Sequence, residues 1–336
     1  MALSRDFQSL PPLQSATITP LIRSGCPLSL QQQVINFFGV GGIFALSDAH
    51  ELGVSALTTL SGIEAFLGPI FPALLVAEML FLVWVNRRKP AQLHSAYKIP
   101  VLMYVANAII AALINLEVFL WTQAFFSSLA PFTATIRIRW FFYAYIVWEF
   151  SHFIFHWTCH NVRLLWCIHA PTHMNLSVIF TALFLHGTYA TFVRTAICSI
   201  LGVPMPLLLF VMAIDGCWGA LIHCSEELWP KGAMRGVLGR VILNPMHHRI
   251  HHASNPEYID KNYCNTLPIW DAVFGTLQHE VLGVKPVYGL NREVKPNSFI
   301  DMYFGEIYLL ARDVRAAPTL KQKFLHLVMP PGWQPQ

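Results

Sequence analysis

Fifteen histidines stand in this chain, and eleven of them fall between residues 152 and 252. His152, His156 and His160 are spaced i, i+4, i+8 within Glu149-Phe-Ser-His-Phe-Ile-Phe-His-Trp-Thr-Cys-His160. On an α-helix, side chains at that spacing share one face. His169 and His173 repeat the i, i+4 step after a short turn, and His186 and His223 stand singly. In Met246-His-His-Arg-Ile-His-His252, His248 precedes His251 and His252 by three and four residues, and His247 precedes His251 by four. Protonated imidazoles this close would repel; neutral ones can gather on a cation and ligate it through a lone pair. Imidazole suits zinc, copper, iron and nickel alike. A single catalytic zinc takes three protein ligands, so this many histidines point to two metals sharing the set. No HExxH stretch occurs, which leaves a metalloprotease without its general base. His50, His94, His279 and His326 lie apart and read as ordinary hydrogen-bonded residues.

The elements that must position these histidines are apolar. Of 336 residues 55% are hydrophobic and 12% charged, against roughly 25% charged in soluble proteins. That composition argues against a soluble enzyme and against a disordered chain. A net charge of +4 gives no basic face for nucleic acid. The seven cysteines are scattered and odd in number, with no CxxC pair, and read as reduced small apolar residues rather than a disulfide framework.

A membrane-spanning helix needs about 20 mostly apolar residues. Residues 66–85, 99–126 and 140–155 are candidates. The apolar stretch 178–222 is broken at Gly202-Val-Pro-Met-Pro206 and predicts a hairpin of two helices. Residues 34–46 are too short to span and are assigned to the membrane interface. Arg87, Arg88, Lys89 and Lys98 follow the first span and place that loop in the cytoplasm. Threading onward puts the polar region from Glu226, with Lys231, Arg235, Arg240 and Arg249, on the same side. All three histidine groups then meet at one cytoplasmic face. The expected fold is all-α: a polytopic membrane helical bundle with a cytoplasmic histidine-rich helical cap. Its expected divisions are an N-terminal tail and interfacial segment (1–60), the membrane domain with its metal-bearing cap (61–290) and a C-terminal cytoplasmic tail (291–336). Trp140, Phe141, Phe142 and Trp148 are expected to form a lipid-facing aromatic belt.

HxxxH, a second histidine pair about a dozen residues on and a late HxxHH together resemble the membrane fatty acid hydroxylase and sterol desaturase superfamily. The stretch from Asn244 to Thr276, ending Ile269-Trp-Asp-Ala-Val-Phe-Gly-Thr276, with Val287-Tyr-Gly-Leu290, is similar to the alkylglycerol monooxygenase branch. The resemblance covers about residues 66–290. It implies a di-iron centre that activates O2 to hydroxylate or desaturate a lipid or sterol-like substrate. The implied ligands are His156 and His160, His169 and His173, and His247, His248, His251 and His252. His152, His186 and His223 fall at further family histidine positions. Glu149 and Asp271 match acidic positions and could hold the second nitrogen of a ligand histidine. Thr172 stands where the family's HxxHH has a histidine, and Trp157, Met174 and Phe184 also depart from its pattern.

No GxGxxG nicotinamide motif or haem-attachment motif is present. Electrons are therefore expected from an external redox protein or a pterin. The expected partners are a lipid substrate, the membrane and that donor, with no nucleic acid. The membrane is the endoplasmic reticulum or a bacterial inner membrane. The competing readings are a metal or proton transporter, for which Glu78 and Glu117 alone lie mid-span and each reads as an interhelical hydrogen-bond group, a zinc-dependent membrane hydrolase, and a catalytically impaired family member lacking the histidine at Thr172.

Overall fold

The computed structural model describes residues 114–174, 184–223 and 238–335 except 291, 296 and 297, with short pieces between 76 and 107. The tail, the interfacial segment 34–46, His50, His94 and most of the first expected span lie outside the described residues. Among those described there is no strand, and one isolated bridge joins Ala253 to Tyr288.

Helix α1 (Leu116–Ser128) leads through a short extended loop to α2 (Ile138–Asn161). The 24 residues of α2 rise about 36 Å. It therefore outruns the expected span 140–155 at both ends and carries His156 and His160 on its last two turns. Val162 is extended and ends it; α3 (Arg163–His169) starts at once. Pro171 has no N–H to continue the α ladder, so the chain tightens into a 3₁₀ turn over Ala170–His173.

The expected hairpin forms from α4 (Phe184–Ile200) and α5 (Met205–Ile222). Val203 N–H donates to the Cys198 carbonyl and Gly202 N–H to the Ser199 carbonyl, the paired closure of a helix ending on a left-handed residue. Gly202 supplies that residue at φ +77°. Its carbonyl accepts from Ala134 N–H at 2.8 Å, which docks the α1–α2 loop on the hairpin turn.

Side-chain contacts fix the helix directions. Tyr143 donates to the Leu201 carbonyl at one end of α2, and Thr158 meets Tyr189 at the other, so α2 and α4 are antiparallel. Asn115 with Thr188, and Phe126 with Phe192, set α1 parallel to α4. Phe141 against Phe210 begins the parallel pairing of α2 and α5. The four helices alternate in direction around a core of Phe119, Tyr145, Trp148, Leu208, Leu209 and Val211. Phe142 and Phe210 are exposed on the outside, but Trp148 is a core residue rather than a belt residue. Among the described residues, α5 alone is long and apolar enough by composition to cross a membrane.

One end of this bundle carries the polar part of the chain. There lie α3, the 3₁₀ turn, α6 (Leu238–Val241), α7 (Pro245–His251), the loop 252–268 and α8 (Ile269–Phe274). Two C-terminal helices, α9 (Phe299–Ala316) and α10 (Leu320–Val328), pack on α3. Arg163 of α3 pairs with Asp313 and reaches His326, and its N–H donates to the Met329 carbonyl. The expected C-terminal tail is thus helical and packed over 299–328.

Two glycines at positive φ separate backbone strain from steric collision. At Gly275 (φ +73°) a Cβ would meet nothing within 4 Å, whereas at Gly202 it would lie 2.5 Å from the Phe132 carbonyl oxygen. Gly275→Ala should cost about 1 kcal/mol, the left-handed penalty alone. Gly202→Ala should cost about 3 kcal/mol, strain plus displacement of the α1–α2 loop. Thermal unfolding of the detergent-solubilised variants checks the order: equal losses would mean that the Ala134–Gly202 docking contributes nothing.

Candidate metal centre

Three elements bring four histidines to one place. His156 and His160 come from α2, one turn apart. His169 is the last residue of α3, and His251 the last of α7. The ring nitrogens these four offer lie within 4.8 Å of one another. A second group at the same separation contains His223, which caps α5, with His248 of α7 and His252, which caps α7. His173 sits between the groups. Its Nε2 is 3.2 Å from His169 Nε2, and its ring centroid is 4.9 Å from His251 and 4.5 Å from His252.

The outer nitrogens show what the inner ones can do. His156 Nδ1 lies 2.8 Å from the Tyr263 carbonyl, His251 Nδ1 2.8 Å from the Lys261 carbonyl and His223 Nδ1 2.6 Å from the Gly219 carbonyl. A carbonyl only accepts, so each Nδ1 carries the proton and each neutral ring turns an Nε2 lone pair inward. His160 Nδ1 faces the Asp260 carboxylate at 3.2 Å with the same consequence. Inside, Nε2 meets Nε2: His156 with His169 at 3.1 Å, and His223 with His248 and His248 with His252 at 2.8 Å. The buried His160 Nε2, His251 Nε2 and His252 Nδ1 have no hydrogen-bond partner among the described residues. A buried polar atom left unpaired is costly. The inward lone pairs of His156, His160, His223 and His251, converging with the neighbouring ring nitrogens, are what a cation satisfies, and the residues fit a metal.

Burial, reinforced by the neighbouring histidines, pushes His169, His173, His248 and His252 well below the ordinary imidazole range. His251 is pushed down to about 4, again mainly by burial. These rings are neutral near pH 7, the form that ligates a metal.

The loop 260–267 holds the rings in place. Asp260 and Asn262 adopt left-handed backbone at φ 59° and 58°, a region Asn and Asp tolerate better than most residues. This turns Asp260, Lys261 O and Tyr263 O toward three separate imidazoles. Asp271 accepts from Tyr263 N–H and Cys264 N–H at 2.8 Å each and from Thr276 Oγ1 at 2.6 Å. Glu149 accepts from Asn265 N–H and Thr266 N–H. Asp215 of α5 accepts from Asn265 Nδ2 and Thr266 Oγ1. Glu149 and Asp271 therefore do not hold ligand imidazoles, as the sequence suggested. Backbone N–H groups nearby claim them, and they act through the loop.

Besides His173, three expected metal histidines lie outside both groups. His247 turns away: its Nδ1 closes the capping box of α7 with Asn244, and its Nε2 meets His279 Nδ1 at 2.8 Å. His186 stands behind His169, Nε2 to Nδ1 at 2.9 Å. His152, one turn before His156, faces Arg194. Thr172 donates to the His169 carbonyl, within its own turn. Sequence reasoning missed Asp215 and Asp260. A single charge in the apolar α5 was a signal for the first, since such residues rarely lack a role. Nothing in spacing marked Asp260. Of the seven cysteines, Cys159, Cys167, Cys198, Cys217 and Cys264 are described and free, as expected. A small opening of about 120 Å³, lined in part by His160, Trp166, His173, His251, Asp260 and Pro330, reaches the first group.

Comparison with known proteins places this geometry. Residues 141–276 match the family model described as fatty acid hydroxylase. Alkylglycerol monooxygenase of Homo sapiens is 28% identical over 195 residues, which are 57% of this chain and 42% of that protein. The Caenorhabditis elegans alkylglycerol monooxygenase is 36% identical over 109 residues, 30% of this chain and 22% of its own. Ornithine lipid hydroxylase of Rhizobium tropici is 30% identical over 140 residues, 40% of each chain. The chain thus spans about two fifths of the length of the first of these relatives. No solved structure matches it.

Two neighbouring histidines of α7 should behave oppositely. His251→Ala removes a ring from the centre of the first group and should cut the metal content of the purified protein to half or less. His247→Ala should leave metal content unchanged and cost about 1 kcal/mol through the lost cap. Elemental analysis with thermal unfolding distinguishes them; metal loss in both would put His247 in the site.

Proposed function

We propose that this chain, which belongs to the fatty acid hydroxylase superfamily through residues 141–276, is a membrane-embedded, O2-dependent hydroxylase of lipids holding two iron ions. The observation that carries the proposal is the pair of adjoining histidine groups, buried and neutral, with unshared nitrogens facing inward. His156, His160, His169 and His251 would hold one ion and His223, His248 and His252 the other, with His173 between them. Two groups rather than one agree with the excess of histidines over a single site's need. Bound iron supplies the activation of O2 and the one-electron chemistry that an unactivated C–H bond requires.

The chain's own residues supply position and exclusion. Tyr263 O, Lys261 O, Gly219 O and Asp260 fix the ring orientations, so that each Nε2 faces inward before any ion arrives. Packing of α2, α3, α7 and the loop around the groups keeps bulk water from them. The opening beside Trp166 and Pro330 is too small for a lipid chain, which would approach from the bundle side. The names of the relatives, alkylglycerol monooxygenase and ornithine lipid hydroxylase, support hydroxylation of a lipid. The electrons come from an external redox protein or a pterin, for which the sequence offers no resident substitute.

The bundle is read as polytopic, with the site-bearing end cytoplasmic. The alternation of α1, α2, α4 and α5 matches the threading that the basic loops Arg87–Lys89 and Lys231–Arg249 impose.

Purified chain should carry about two irons, and cells making it should accumulate lipids heavier by one oxygen atom. His251→Ala should abolish that product at unchanged membrane insertion. A stoichiometric single zinc, or oxidised lipid undiminished in the variant, would overturn the proposal.

A further inference from the structure

The two C-terminal helices lie beyond the family match, and each shows an apolar face to the outside. On α9, Ile300 (72% exposed), Phe304, Ile307 and Tyr308 (70% exposed) follow at i, i+4, i+7, i+8. On α10, Leu320 (85% exposed), Phe324 (60% exposed) and Val328 follow at i, i+4, i+8. The opposite face of α9 is already used. Met302 and Tyr303 pack with Ile99, Met103 and Ile168, and Tyr303 donates to Asn107 Oδ1 at 2.6 Å. The outer stripes are therefore additional to the core, and large apolar side chains in such a run mark an interaction surface.

Charge identifies what covers them. The three acids of α9 are all paired: Asp301 and Glu306 with Arg292, and Asp313 with Arg163 and Arg312. Arg315 and Lys321 stand exposed beside the apolar stripes without such a partner among the described residues, and Arg312 is mostly exposed as well. The outward charge of the pair is cationic. Tyr308, Ala311, Arg312, Arg315 and Ala316 line a shallow concavity of about 370 Å³, a recess offering a phenol hydroxyl, the Arg315 guanidinium and the edge of Arg312 that Asp313 leaves unused. Guanidinium pairs with phosphate oxygens in a bidentate manner.

Position agrees. α9 is packed on Ile99, Met103 and Asn107, at the start of the second expected span. The nine residues of α10 rise about 14 Å, too short to cross a bilayer. Short helices with one apolar and one cationic face lie in the headgroup layer.

We infer that α9 and α10 form a membrane-surface module whose apolar stripes enter the headgroup layer and whose Tyr308–Arg312–Arg315 recess takes the phosphate of an anionic phospholipid. The inference rests on the membrane reading of the bundle. Because Arg163 joins α9 and α10 to the start of α3, the module would hold the histidine site at a fixed height above the bilayer surface.

The full chain, reconstituted in vesicles, tests this with a fluorophore on Phe324→Cys and, separately, on Phe210→Cys of α5, each corrected for labelling of the parent chain. In phosphatidylglycerol vesicles, lipids brominated near the headgroup should quench the probe at 324 severalfold more than aqueous iodide does. That preference should fall severalfold in phosphatidylcholine vesicles or in an Arg312→Glu, Arg315→Glu background. Iodide quenching at 324 with lipid quenching at 210 would overturn the surface module and leave the membrane bundle standing. Iodide quenching at both positions would overturn the membrane reading itself. Energy transfer between labelled copies at 324 would assign the stripes to self-association and overturn the inference. Equal quenching in the two lipids would overturn the phosphate recess.

Discussion

The Glu149 carboxylate, buried in α2 and accepting the N–H groups of Asn265 and Thr266, ties a loop to the bundle, and the site depends on that loop. Its two bonds fix the downstream end of the segment that begins with the left-handed residues Asp260 and Asn262. The carbonyls of Lys261 and Tyr263 within that segment select the protonation of His251 and His156. Asp215 from α5 and Asp271 from α8 hold the same segment from other sides. Three carboxylates from three helices converge on a handful of backbone and side-chain donors. Each imidazole is oriented by a group that is itself held by hydrogen bonds.

This arrangement explains why the bundle must be built as it is. α2 delivers His156 and His160 at its end while contributing Glu149 two turns earlier. α5 delivers His223 at its end while contributing Asp215 two turns earlier. A helix therefore places its inward-facing histidine and the carboxylate anchoring the supporting loop in one rigid body. The parallel course of α2 and α5 brings both pairs to the same end. The hairpin turn at Gly202 allows this, because it returns the chain from α4 in the direction α2 already runs.

Much of this was legible in the sequence because helical spacing is a local rule. The i, i+4 step between His156 and His160 and the break at Gly202-Val-Pro translate directly into one helix face and one turn. Which nitrogen of a ring faces inward was not legible, since it depends on the partner behind each ring: Tyr263 O and Asp260 come to His156 and His160 from about a hundred residues away, and Lys261 O reaches His251 only through the left-handed turn of its loop. His247 shows the limit. Its spacing from His251 is the same i, i+4, yet Asn244 at the N-cap draws its ring backward and His279 takes the other nitrogen. Glu149 and Asp271 were recognisable as important by type and place. Their targets were misread because backbone N–H groups compete for a buried carboxylate as well as imidazole does. The second histidine pair was expected to repeat the geometry of the first, but Pro171 breaks the ladder and delivers His173 on a tighter turn, which is what lets it lie between the two groups.

The ligand set is also distinctive in charge. The inward nitrogens all belong to neutral rings, and the partners behind His156, His251 and His223 are neutral carbonyls. Among the described residues, only Asp260, behind His160, brings a formal negative charge into direct contact with a ring of either group. Affinity for divalent ions in such a set comes from geometry rather than from ligand charge. The rings must be held against the cost of facing lone pairs at about 3 Å in the absence of a cation. That cost falls on the supporting loop and its three carboxylates. The constraint accounts for a feature that counting histidines alone leaves unexplained: this chain devotes three buried acidic residues, Glu149, Asp215 and Asp271, to one loop.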